Sequence, residues 1–131
     1  MGKVYQLEIG KKFTLEEAQD LLPLVRRITK EAVISTEKIA MKISGYVGDT
    51  TRGREKLEKD FQEIAERWAT KIFKLGAHVK GLWLVDFDNG EGFYSWRYPE
   101  TDLRYHYNYG EGFAARLPLS RETTHSNDIQ Y

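Results

Sequence analysis

The chain has 131 residues, 40% of them hydrophobic and 31% charged, with a formal net charge of zero. That is the size and make-up of one ordinary water-soluble domain rather than a disordered chain. No apolar run approaches the roughly 20 residues of a membrane span, and the lack of cysteine excludes disulfide frameworks, thiolate zinc sites and thiol catalysis.

The N-terminus, MGKVYQLEIGKKF, has no apolar signal-peptide core, so a cytoplasmic location is expected. Its alternating KVYQLEI is a candidate edge strand. Thr14 followed by Glu17 forms a capping box, which predicts a helix start. Apolar or small residues then recur at 18, 22, 25, 29, 32, 36, 39 and 43, the alternating four-and-three step of a packed seam, predicting a helix from Leu15 to Ser44. Pro23 lies beyond the first turn, has no N–H to give the Gln19 carbonyl and predicts a kink without an end.

GYVGDTTRG, residues 45–53, reads as a connection, since it lacks the Gly-Lys-Ser/Thr ending of a phosphate-cradling loop. A second helix is expected from Arg54 to Leu75, with Leu57, Phe61, Ile64, Trp68, Ile72 and Leu75 on one stripe and Gly76 as its terminator. The two helices form an antiparallel hairpin on this reading, the small residues Thr29, Ala32 and Thr36 meeting the large Phe61 and Trp68. His78, just past the helix end, is read as a capping residue near the negative pole of the dipole.

Past Gly76 the period becomes two. LWLVDFD, FYSWRY and LRYHYNY predict three strands of an antiparallel meander, joined at Asn89-Gly90 and at PETD. Ten of the 17 aromatic residues fall between Trp83 and Phe113, so the sheet carries the aromatic core. Residues 1–81 hold 16 Lys/Arg against 12 Asp/Glu and residues 82–131 hold 4 against 8, giving +4 and −4. The aromatic half is therefore the acidic one, which argues against nucleic-acid binding, where rings and positive charge coincide. The expected fold is α+β: a long antiparallel two-helix hairpin packed on a small antiparallel sheet, one domain over residues 1–119 with a mobile tail from 120 to 131.

With two-residue turns, Trp83 falls opposite Trp96, Val85 opposite Tyr94, Trp96 opposite Tyr105 and Tyr94 opposite Tyr107. This predicts a helix-packed face that includes Val85, Phe87, Tyr94, Trp96, Leu103, Tyr105 and Tyr107. The other face is mixed: Leu82, Leu84, Asp86, Phe93, Ser95, Arg97, Arg104, His106 and Asn108. A three-residue first turn would move Asp86 to the aromatic face. On the mixed face Arg97 is expected opposite Arg104 and Ser95 opposite His106, with Arg116 arriving from the next turn. Cations side by side call for an anion between them. Either a small anionic ligand fills that role, or the arginines pair with Asp86, Glu100 or Glu111. Ligation by His106 with Asp86 or Glu111 is a weaker alternative, because the three histidines lie in separate segments and form no paired motif. No cofactor, metal site or nucleophilic triad is indicated. Leu82, Leu84 and Phe93 would be exposed in a monomer, and long hairpins associate into four-helix bundles, so a homodimeric binding or assembly module is the first expectation. The alternative is a small-molecule enzyme or anion-binding protein using Asp86, Arg97 and Arg116.

FTLEEAQDLLPLV, LVDF at 84–87 and WRYPETDLRYHYNYGEGFAARLPL together resemble the blocks of an uncharacterised prokaryotic family, domain of unknown function (DUF) 2203. The resemblance spans nearly the whole chain before the tail. It implies special positions at Asp86, Trp96, Arg97, Glu100, Tyr105, Gly112, Phe113, Ala114 and Arg116. Departures stand at Ser95, where the family tends to have Cys, at His106, where it has Trp, and at Tyr107, where it has His. The resemblance implies a fold and these positions, and no reaction.

Overall fold

The computed structural model describes residues 11–44 and 51–119; the candidate N-terminal edge strand and the tail lie outside them. Helix α1, Leu15–Ser44, begins at the capping box. Glu17 N–H donates to Thr14 Oγ1 at 3.0 Å and Thr14 N–H to Glu17 Oε1 at 2.9 Å, so two donors left over by the first turn are satisfied reciprocally. The helix continues through Pro23. Helix α2, Thr51–Lys74, starts three residues before the expected Arg54. It closes through Gly76, whose φ of +93° suits glycine and whose N–H donates to the Phe73 carbonyl at 2.9 Å. His78 takes no part in that cap; it opens a strand.

The sheet has five antiparallel strands in sequential order: β1 His78–Gly81, β2 Leu84–Asp88, β3 Gly92–Arg97, β4 Tyr105–Asn108 and β5 Leu117–Pro118. The meander is thus extended by one short strand at each edge. Neither is long enough to display a period, and β5 carries a proline that only an edge tolerates. Trp83, at φ +64°, belongs to the β1–β2 turn, where its ring meets the edge of Trp68 at 4.8 Å.

Strand β3 pairs with β2 through Val85 with Trp96, Asp86 with Ser95 and Phe87 with Tyr94. This is two residues away from the expected pairing. Because side chains alternate with period two, the faces are unchanged, and Asp86 stays away from the helices. The turn is longer than Asn89-Gly90 alone: Asn89 Oδ1 accepts from the N–H groups of Glu91 and Gly92 at 2.9 and 2.8 Å.

Strand β4 is a different matter. Its pairs are Phe93 with Tyr107, Tyr94 with His106 and Ser95 with Tyr105, one residue from the expected register, so every β4 side chain changes face. Tyr105 and Tyr107 leave the helix-packed face, and His106 joins it. The cause is the β3–β4 connection, which is no tight turn. Glu100 folds back to give its N–H to the Arg97 carbonyl at 2.8 Å and its own carbonyl to the Trp96 indole N–H at 2.8 Å. Leu103 is drawn into the core at 2% exposure, and β4 resumes out of phase. Gly92 fixes the new register, since a Cβ there would come within 2.2 Å of the Tyr107 carbonyl oxygen.

The main core joins Ala18, Leu22 and Val25 of α1 to Trp68 and Ile72 of α2 and to Val85, Phe87 and Trp96 of the sheet. It reaches no further along the hairpin than Ala32 and Trp68. At that boundary the buried Trp68 Nε1–H donates to the buried Thr29 Oγ1 at 2.8 Å. No described helix is long and apolar enough to cross a membrane. Replacing Thr29 by valine keeps its shape but strands the indole donor, and should cost about 1–3 kcal/mol in chemical unfolding. Thr29→Ser should recover most of the loss; a Thr29→Val protein as stable as the parent would contradict the assignment.

Candidate functional site on the outer sheet face

Strand β2 alternates Val85 and Phe87 toward the helices with Asp86 and Asp88 on the other side, yet all four are buried. Two carboxylates at period two on one face need donors at the same spacing, and β4 and its extension supply them. Tyr107 OH donates to Asp86 Oδ2 and Tyr109 OH to Asp88 Oδ1. The tyrosines reach across β3, with Phe93 as the spacer: its ring lies 5.4 Å from each of theirs. His78, cross-strand from Asp86, sets its ring edge-on to Phe93 at 5.8 Å, and Lys80 lies over the Tyr107 ring at 5.9 Å. Hydrocarbon stems and rings thereby roof a polar interior.

The two carboxylates differ in charge balance. Burial is the main influence on Asp86 and holds its pKa above the ordinary value, against the Tyr107 hydrogen bond and the nearby charges of Lys80 and His78. Tyr107 is pushed up in turn by its burial and by Asp86. For Asp88 burial is also the largest single influence, but hydrogen bonds from Tyr109 and the Gly90 N–H, together with Lys12 at 2.9 Å, bring it below the ordinary value. Between the strands Ser95 is 1% exposed, and its hydroxyl makes no hydrogen bond of good geometry, although it lies near enough to favour the Asp86 carboxylate.

A second cluster sits at the end of β3. The Arg116 guanidinium forms a two-pronged pair with Glu100, at 3.1 and 2.8 Å, and lies between the rings of Tyr105 and Phe113, 4.0 and 4.1 Å from their centroids. Glu100 Oε1 also accepts the Arg97 N–H at 2.8 Å, and the Arg97 guanidinium is 5.8 Å from the Phe113 ring. Arg97, Glu100 and Arg116 therefore come together, and the anion among them is Glu100. The bracket ties the β3–β4 loop to the short 3₁₀ turn Phe113–Ala115 ahead of β5.

The remaining expected residues lie elsewhere. Arg104 does not face Arg97; it pairs with Asp102 at 2.7 Å on the surface. His106 does not face Ser95 or Asp86; it lies across from Tyr94 on the helix side, which rules out ligation shared with Asp86. Glu111 accepts the Asn108 N–H at 3.0 Å and serves the turn after β4. Among the described residues no three His, Asp or Glu side chains gather as a metal site. His78, Lys80, Asp88, Tyr107 and Tyr109 were not anticipated. Their signal was present in the matching two-residue spacings of Asp86/Asp88 and Tyr107/Tyr109. Ser95 and Tyr107, the positions where the resemblance implies Cys and His, both face Asp86.

Asp86 gives a pH prediction. Its folded-state pKa is raised, so its contribution to stability is complete below the ordinary value of 3.8 and is lost as pH rises through the raised value. Asp86→Asn keeps an acceptor for Tyr107 and removes the buried charge. It should melt higher than the parent at neutral pH, with the gap closing as the pH falls toward 3.8. A variant that melts lower at neutral pH would contradict this.

Searches of curated proteins and of solved structures gave no match. A family model does match, over residues 11–119, that of an uncharacterized conserved protein, DUF2203. Those residues include both helices, the whole sheet and both side-chain clusters, and the chain accordingly belongs to the DUF2203 family.

Proposed function

We propose that this protein is a cytoplasmic homodimeric assembly module whose long hairpin pairs with that of a second copy. The observation that carries this reading is where the core stops. At 1.5 Å per residue α1 is about 45 Å long, whereas strands of four to six residues span roughly 13–20 Å. The core shared with the sheet ends at Ala32 and Trp68, yet the apolar stripe runs on. Beyond the sheet, Val33, Thr36 and Ile39 of α1 are buried, but Leu57, Phe61 and Ile64 of α2 are only half-buried, and off the α1 seam Ile34 and Met41 are 41% and 73% exposed. Covering such a stripe with a second hairpin gives a four-helix bundle. The net charge of zero opposes no self-association. The mixed sheet face supports dimerisation less than the sequence implied, because Leu84 and Phe93 are half-buried and, of the three residues expected to be exposed, Leu82 alone is.

The alternative, a small-molecule enzyme or anion-binding protein acting through Asp86, Arg97 and Arg116, is favoured by one observation, the unpartnered Ser95 hydroxyl beside Asp86. Against it, Arg116 is already neutralised by Glu100 and Asp86 is already hydrogen-bonded to Tyr107.

Sedimentation equilibrium should give twice the 15.3 kDa chain mass. The double substitution Leu57→Glu with Phe61→Glu should return a monomer whose tryptophan near-UV signal, set by the sheet end of the core, is preserved. A parent chain that stays monomeric at NMR concentrations would overturn the reading.

A further inference from the structure

A cleft of about 470 Å³ opens between the first turns of α1 and the β3–β4 loop, lined by Gln19, Leu22, Pro23 and Arg26 on one side and by residues 101–104 on the other. This is within the size range of small-molecule sites, and it lies at the sheet end of the hairpin, apart from the surface assigned to assembly. Two features give it a definite chemistry. Arg26 has no hydrogen-bond or ion-pair partner among the described residues, and its Nε is buried. A buried guanidinium Nε–H without an acceptor is costly unless something supplies one. Arg104, across the cleft, is already balanced by Asp102 at 2.7 Å, so Arg26 leaves the lining one positive charge in excess. Pro23, exposed beside these polar groups, adds apolar surface, and the core residues Leu22 and Leu103 form the floor.

We propose that this cleft binds a small organic carboxylate, its anionic group on Arg26 and its apolar body against Pro23. The apolar lining distinguishes the site from one for a bare inorganic anion, and the single uncompensated charge suits a monoanion.

Titration of the intact protein with benzoate, followed by amide and arginine Nε–H NMR, tests the proposal. Benzoate at millimolar concentration should shift Arg26 Nε–H and the Thr101 and Leu103 amides, benzamide should leave them in place, and inorganic phosphate should bind more weakly than benzoate. Arg26→Gln, with the amide spectrum of the sheet retained as the check on folding, should weaken benzoate at least tenfold. The proposal is overturned if benzoate leaves these signals unmoved, if benzamide or phosphate binds as well, or if Arg26→Gln binds benzoate as tightly as the parent.

Discussion

A carboxylate in the middle of a five-stranded sheet must find a donor, and Asp86 finds the hydroxyl of Tyr107 from two strands away. The cost of burying the charge is severe without such a partner, so the phase of β4 is constrained by chemistry as well as by backbone pairing. With Tyr107 over Asp86, period two takes Tyr105 to the same face, where it supports the guanidinium of Arg116. Arg116 then closes on Glu100, and the loop that shifted β4 is itself secured to the strand end. Tyr109 and Asp88 repeat the arrangement one step along, with Lys12 completing it from the segment that leads into α1. The outer face of the sheet is thus a second, polar interior roofed by rings.

The helix side obeys a simpler rule. Small residues on α1 admit large ones on α2, and Thr29 both makes room for the Trp68 indole and accepts its proton. That contact coincides with the limit of the core shared with the sheet. Sheetward of it the hairpin is part of a domain; outward it is two helices whose α2 side is only half-covered, which is the physical basis for proposing assembly at that end. The domain's polar clusters are largely self-satisfied, as expected of structural groups. Two polar groups, Ser95 Oγ and Arg26 Nε, depart from that pattern among the described residues, and only Arg26 belongs to a cleft.

What the sequence revealed follows from the range of each interaction. The capping box, the Leu15–Ser44 helix and the glycine stop are local, and all are found as read. The faces of β2 and β3 were legible because even a wrong turn length, off by two residues, preserves them. The face of β4 was not, because it depends on how many residues the loop spends in burying Leu103 and folding Glu100 back onto Arg97 and Trp96. Arg97 and Arg116 were read as one cationic patch with Asp86, Glu100 or Glu111 as possible partners, and the structure places Glu100 as the anion beside them. Arg104 and His106 were assigned to that face only through the β4 register and went with it. Arg26 could not have been singled out, since its significance comes from a loop far along the chain and from a proline three residues before it on the same helix.

The account turns on Tyr107 rather than His106 serving the buried carboxylate. The direct measurement is a carbon-detected NMR titration of the Asp86 carboxyl in the parent and in Tyr107→Phe. The account predicts a midpoint above 3.8 in the parent and a further rise in the variant, because the lost hydroxyl is the strongest of the groups favouring the carboxylate. An Asp86 midpoint that does not move when Tyr107 loses its hydroxyl would contradict it.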